Sequence, residues 1–377
     1  MQNITIYYGP KSGFNKILKF DEPTITLTAL AILSDRKMRE HSFKMPNRKM
    51  NDSEEKLEDL NKIKIPNFVA FSDEYAALSE NAIQGFLSFL SQFDINNIIL
   101  QNPPSYIVSQ FNKLEIDVNT FQYVYNTVTK SIIKDINNEF SFYIIGQESV
   151  KNKLMSTLYQ LCNSKVTKPV VMLFYGHTGV GKTETAKFLS ILLKQKLFRK
   201  QFSMFNSDEF TSYLFGGKHS QNCLAKELLE RESNIILFDE FDKTHPVFHS
   251  AFYQLFDEGI YEDKNYCVTL EKSIIICTSN YSSLDEIKKK LGAPIYSRFD
   301  AIIKYNELDV EAIKKIIEKE YMRQFNLLDN WEQDLVKNKN TFNDILTISD
   351  NIENARQINH LIKDKISSIL VQHIINS

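Results

Sequence analysis

Two kinds of apolar spacing alternate along this chain and sort it into elements. "NFVAFS" (67–72) alternates apolar and polar positions, as a half-buried strand does. "ENAIQGFLSFLSQF" (80–93) has apolar residues at helical spacing, and "NNIILQNPP" (96–104) is a short apolar strand stopped by prolines. A second helical pattern covers about 121–138. The pattern changes at "FYIIGQESVKNKL" (142–154), where apolar residues lead into Gly146 and a helix follows. Strands and helices then alternate: "PVVMLFYG" (169–176), a helix from Lys182, "NIILFDE" (234–240) and "KSIIICTSN" (272–280). These strands are almost continuously apolar, as central parallel strands covered on both faces are. Beyond Arg298 the spacing is helical, over 309–325, about 331–337 and 354–375.

The expected fold is therefore α/β, in three parts. Residues 1–138 form a separate mixed α/β domain, 139–304 a parallel-sheet subdomain and 305–377 a helical subdomain. The stretch 37–64 is dense in charges of both signs and reads as a solvated helix or connection. A chain of 377 residues is long enough for two or three domains, each with a core. With 43% hydrophobic and 24% charged residues the composition is that of a globular protein. The net charge of -2 gives no reason to expect nucleic acid or an anionic membrane as main partner. No apolar run reaches the roughly 18 residues of a membrane span, and "MQNITIYYGPKSG" lacks the pattern of a secretion signal. Four scattered cysteines without a CxxC pair argue against disulfide or zinc use and fit a reducing cytoplasm.

The chemistry sits in the second part. "GHTGVGKT" (176–183) matches GxxxxGK[ST] in full, after an apolar strand and before a helix. Gly176, Gly179 and Gly181 let the backbone curl so that its N–H groups, with those of His177, Thr178 and Val180, face phosphates. The helix N-terminus, from Lys182 to Glu184, adds its partial positive charge. Lys182 can reach the β- and γ-phosphates of a nucleotide, and Thr183 can hold Mg²⁺. Asp239 ends the strand of "IILFDE", where it can join the Mg²⁺ shell, and Glu240 can orient and deprotonate an attacking water. Asn280 ends the next apolar strand, where its amide can hold that water or the γ-phosphate.

The order of P-loop, "LFDEFDKTHP", "TSN", "SRFD" and "NARQ" resembles the AAA+ ATPases, most closely the second ATPase module of Clp-type unfoldases such as ClpA and ClpB. The resemblance covers roughly 140–377. It implies a P-loop AAA+ core with a C-terminal helical lid, ATP and Mg²⁺ as cofactors, and assembly into a homo-hexameric ring. By the same resemblance "IIGQESV" is the opening box beside the adenine, which places Ile145 there. Arg298 of "SRFD" becomes the arginine finger that enters the neighbouring subunit's site. Arg356 of "NARQ" becomes the second sensor arginine on the lid, with Asn354 where the family has glycine.

Two departures shape the expected function. Clp modules grip polypeptide with an aromatic "GYVG" loop, which is missing from "SYLFGGKHSQNCLAKELLE" (212–230); Tyr213 and Phe215 lie nearby. The hairpin expected at 257–273 offers Tyr261 or Tyr266 as another substrate contact. The short stretch 281–297 has no loop for docking on a Clp peptidase. Three functions remain open. The first is an ATP-driven remodeller of a protein partner chosen by the N-terminal domain. The second is a nucleotide-dependent binding switch. The third is a nucleic-acid loader using the basic residues Lys187, Lys194, Lys196, Arg199 and Lys200.

Overall fold

The computed structural model describes residues 3–18, 22–43, 62–114, 117–204, 207–339, 341–348 and 354–376. Among these residues the strands in chain order are β1 (Asn3–Tyr8), β2 (Thr24–Thr26), β3 (Lys64–Ala70), β4 (Asp94–Gln101), β5 (Val118–Gln122), β6 (Val170–Tyr175), β7 (Phe198–Gln201), β8 (Ile235–Asp239), β9 (Ile260–Glu262), β10 (Cys267–Thr269), β11 (Ile274–Ser279) and β12 (Ala301–Lys304). Contacts divide the chain into two compact units. The first gathers Met1–Tyr125 with Phe205–Glu232 and Ile260–Thr269; the second holds Asn126–Met204, Ser233–Gly259 and Leu270–Ser377.

The first unit contains a five-stranded sheet in the order β2-β3-β4-β1-β5, parallel throughout. Side chains alternate between the faces of a strand, and here both faces are buried. Phe68 and Ile98 enter one core with Tyr75, Phe86 and Phe111, while their neighbours Val69 and Ile99 enter another with Tyr7 and Phe14. The helical pattern of 80–93 is broken in two, Glu80–Gln84 and Phe86–Leu90, at Gly85. Residues 121–138 are not one helix. Val118–Gln122 pairs with β1 (Ile4 opposite Val118), and the helix begins only at Lys130, where the Thr129 side chain accepts from Ile132 N. Phe121, Tyr123 and Tyr125 carry the period of two that belongs to a strand. Most of the charged stretch 37–64, residues 44–61, lies outside the described residues.

The second unit contains another parallel sheet, in the order β12-β6-β11-β8-β7. Every residue of β6, β8 and β11 is buried, as their unbroken apolar runs require. Parallel strands carry their ligands beyond their carboxyl ends. The register puts Tyr175 of β6 beside Ser279 of β11, and Phe238 of β8 beside Cys277 of β11. Gly176, Glu240 and Asn280 therefore leave the sheet at the same edge. The helices Val310–Phe325, Asn330–Asn338, Thr341–Ile348 and Ala355–Asn376 share a separate core of Ile317, Tyr321, Val336, Ile345, Ile358 and Ile362. Asp309 caps the first of them through Ala312 N (2.7 Å), and Asp329 with Glu332 forms a capping box on the second.

Candidate active site

The loop after β6 takes a path that only glycine permits at two points. Gly176 has φ +133° and Gly179 φ +79°; a Cβ on Gly176 would meet Tyr305 O at 2.5 Å, and one on Gly179 would meet Asn354 Cβ at 2.9 Å. The helix Lys182–Leu192 starts directly after the loop, so its unpaired N–H groups and dipole point into it. The loop is tied from behind. Tyr305 donates to Thr185 Oγ1 (2.8 Å), which donates to Gly181 O (3.0 Å). Gln147 donates to Val180 O (3.3 Å) and Asn306 O (2.8 Å) and accepts from Asn306 N (3.1 Å). Ile145 is half-buried, Val180 is buried, and His177, Thr178 and Glu184 are exposed. His177 faces Glu307 (3.2 Å), and Glu184 pairs with Lys187 (2.7 Å). Thr183 is half-buried on the first turn of the helix.

Lys182 is only 8% exposed. Its ammonium donates to Gly176 O, to His177 O (2.7 Å) and to Asn280 Oδ1 (3.2 Å). Burial pushes its pKa down to about 8; Asp242 and Asp239 oppose the fall, and Arg356 adds to it. A bound polyphosphate favours the charged lysine and raises that pKa, so binding takes up a proton where the free lysine is neutral. Nucleotide affinity should be full below about pH 8 and fall as pH rises, by up to about tenfold per unit. Titration calorimetry at pH 7, 8 and 9 in buffers of different ionisation enthalpy measures both affinity and proton uptake. An affinity constant to pH 9.5, with no proton uptake, would contradict this account of Lys182.

Opposite the loop lies a group of carboxylates. Asp239, 6% exposed at the end of β8, accepts from Arg199 Nε (3.0 Å) and Nη2 (2.5 Å) on one oxygen and from Thr278 Oγ1 on the other. Thr278 Oγ1 in turn accepts from Glu240 N (2.9 Å). Glu240 sits at φ +56°, a left-handed conformation that non-glycine residues adopt at a cost and that recurs at functional sites. Its Oε2 accepts from Gln201 Nε2 (3.2 Å). Asp242 has a side chain 6% exposed, with Oδ1 buried and unpartnered; burial raises its pKa above the ordinary carboxylate value. Asn354 Oδ1 accepts from Gln357 N (3.0 Å) and so caps the last helix, whose Ala355 N meets Gly179 O (3.3 Å). That contact brings Arg356 within electrostatic reach of Lys182.

The structure thus gathers Lys182, Asp239, Asn280 and Arg356 around the loop, with Glu240 next to Asp239. Arg298 belongs to a different set of contacts: its Nε donates to Asp257 Oδ2 (2.8 Å), its Nη1 to Pro294 O (2.5 Å), and it lies 4.3 Å from the Tyr253 ring centroid. Sequence reasoning missed Asp242, Arg199, Gln201, Gln147 and Thr278 as parts of the site. Asp242 left a signal as the third acid of "DEFD", and Gln147 by its place in the opening box "IIGQESV". Three of the four aromatic residues proposed to touch substrate are buried: Tyr213 is 6% exposed, Tyr261 and Tyr266 1% each. Phe215, at 41%, is exposed. Within the basic stretch 187–202, Lys187 pairs with Glu184 and Arg199 with Asp239. Among the described residues no helix is long and apolar enough to cross a membrane, and Cys162, Cys223, Cys267 and Cys277 are all free thiols.

Comparison with known proteins points to the same family as the motifs. Residues 167–327 match the family described as AAA domain (Cdc48 subfamily). The chain is 28% identical over 210 residues to an ATP-dependent Clp protease ATP-binding subunit, ClpL, of Staphylococcus aureus (strain USA300), covering 49% of this chain and 30% of that protein. It is 25% identical over 268 residues to chaperone protein ClpB of Mycoplasmoides gallisepticum, covering 64% and 37%. The chain therefore spans about a third of the length of these relatives. In fold it is similar to a closed-state reconstruction of Hsp104 with ATPγS and FITC-casein, with TM-score 0.54 and 16% identity over 99% of this chain and 89% of that one. A Saccharomyces cerevisiae Hsp104–ADP complex gives TM-score 0.53 and 20% identity over 66% and 40%.

Proposed function

This chain carries an ATP-hydrolysing AAA+ module of the Clp type, and from that premise we propose that it uses ATP to remodel a protein partner as a homo-hexameric ring. The observation that carries the reading is the meeting of Lys182, Asp239 and Asn280 at the carboxyl edge of one parallel sheet, with Arg298 held apart from them. We read 139–304 as the large subdomain and 305–377 as the lid.

In this reading the backbone of Gly176–Gly181 and the ammonium of Lys182 bind the phosphates, with Thr178, Val180 and Glu184 lining the loop and Ile145 beside the base. The residues also fit a magnesium ion. Asp239 and Thr183 would hold it, and the buried, unpartnered Asp242 Oδ1 leaves acceptor capacity at its margin. No group of three or more His, Cys, Asp or Glu able to bind a metal alone occurs among the described residues, as suits an ion that shares its shell with phosphate oxygens. When bound, the ion neutralises charge on the phosphates. Asn280 orients the lytic water, and Glu240 accepts its proton. Arg356 links lid position to the nucleotide, and Arg298, from the adjacent subunit, meets the charge developing on the γ-phosphoryl group.

The burial of Tyr213, Tyr261 and Tyr266 favours local prising, or a nucleotide-dependent switch, over processive threading. The short stretch 281–297, with no docking loop, leaves docking on a Clp peptidase without support. We place the protein in a reducing cytoplasm, with a protein rather than nucleic acid as partner. Solution mass tests the ring: light scattering with saturating ATP and Mg²⁺ should show six chains, and nucleotide-free protein fewer. A monomer or dimer at every ATP concentration would overturn the ring and leave the switch.

A further inference from the structure

Residues 205–232 and 260–269 lie inside the stretch that matches the AAA domain, yet they pack with the N-terminal residues 1–125. Their contacts there are specific, and several are buried on one side. Asn102, fully buried at the carboxyl end of β4, donates to Glu230 Oε1 (2.8 Å); the neighbouring Gln101 reaches the same carboxylate (3.3 and 3.4 Å). Both amides also bind Gly9 O, and Asn102 Oδ1 accepts from Gly9 N (2.8 Å), so the end of β1 is fixed by the same residues that hold Glu230. Arg231, 5% exposed, stacks 4.3 Å from the Tyr125 ring centroid, and Glu232 accepts from Ser12 Oγ. His219, 4% exposed, meets Leu78 O (2.6 Å) and Glu80 (3.0 Å). Ser105 N donates to Asn265 O (2.8 Å), while Tyr261 donates to Leu214 O (2.7 Å) and ties the two segments to each other.

The carboxyl edge of a parallel sheet, beside the strand where the order reverses, is where such folds take up ligands. In this sheet that strand is β1, between β4 and β5. We infer that this edge is a receptor for the chain's own segment Leu228–Glu232, with the Glu230 carboxylate as its ligand. Residues 205–232 and 260–269 are thereby built into the N-terminal unit and are not a grip on a threaded polypeptide; the contrast with a grip rests on the Clp-type reading. The amides of Gln101 and Asn102 supply two donors to one carboxylate, and their own orientation is set by Gly9. The buried Arg231 fixes the next residue, which leaves the segment one register. The chain also passes between the two units five times.

Hydrogen exchange on the full chain, without nucleotide, tests the receptor independently of any ATPase role. In the unaltered protein the amides of 224–232 should be as protected as those of 3–13. Asn102→Asp sets two carboxylates against each other and should speed exchange in 224–232 by about tenfold or more. Position 102 has φ +45°, which Asp tolerates as Asn does. Asn102→Asp combined with Glu230→Gln reverses donor and acceptor in the bond between 102 and 230, but not in the bond to Gly9 O, and should restore part of the protection. The inference is overturned if 224–232 exchanges freely in the unaltered protein. It is equally overturned if Asn102→Asp leaves that segment unchanged, or if the double variant is no better than the single one.

Discussion

Glu240→Gln should lower ATP turnover by about 10²–10⁴-fold while leaving ATP affinity within a few-fold of the unaltered protein. The substitution changes one atom and keeps the shape. The contact from Glu240 N to Thr278 Oγ1 belongs to the backbone and survives, and so does the left-handed turn at φ +56°. An amide accepts no proton from water, so the loss falls on the chemical step and not on binding. Lys182 and the glycine loop, which hold the phosphates in this reading, do not touch the altered group. Steady-state turnover combined with equilibrium ATP binding separates the two effects. Turnover within a few-fold of normal would remove Glu240 from the role of base and turn attention to Asp242, the other carboxylate of the same turn. Asp242 is buried, with a raised pKa.

The parts of this site that the sequence discloses are those written contiguously. A loop of fixed length joining one apolar strand to one helix leaves its glycines and lysine no freedom of spacing, so "GHTGVGKT" is legible at once. Asp239 and Asn280 are legible because each ends an apolar run in a sheet whose carboxyl edge collects ligands. What escapes are contacts made across strands. Arg199 reaches Asp239 because β7 and β8 are neighbours, and the spacing of "FRKQ" says nothing of that. Gln147 fixes the P-loop from far along the chain, and Thr278 bridges Asp239 and Glu240 from inside an apolar run. The fold shows the same division. The central strands β6, β8 and β11 stand out through continuous apolarity. β5 does not, because it is short and largely exposed and carries no continuous apolar run. Nor can linear reading return 205–232 and 260–269 to the company of the first 125 residues. That packing depends on Glu230 and His219 finding partners more than a hundred residues away.

Arg298→Ala should lower turnover by about 10³–10⁵-fold with little change in ATP affinity. Its present partners argue that the fold will survive. The pair with Asp257 is partly exposed, 25% and 47% for the two side chains, and such pairs contribute at most about 1 kcal/mol. The Tyr253 contact adds a further cation–π term of about that size. The Arg298 guanidinium contacts neither the loop nor the carboxylate group of its own chain, so in this reading its effect on chemistry comes through a neighbouring copy. Complementation tests this directly. Lys182→Ala removes phosphate binding but keeps the finger; Arg298→Ala keeps the site but lacks the finger. Each protein alone should be nearly inactive. Mixed, the first lends Arg298 to the second, and turnover should return to a sizeable fraction of normal. Two inactive proteins that stay inactive when mixed, while co-assembling by mass, would mean that Arg298 acts within its own chain. Full activity in Arg298→Ala alone would remove it from the reaction and leave the pair with Asp257 as its whole role.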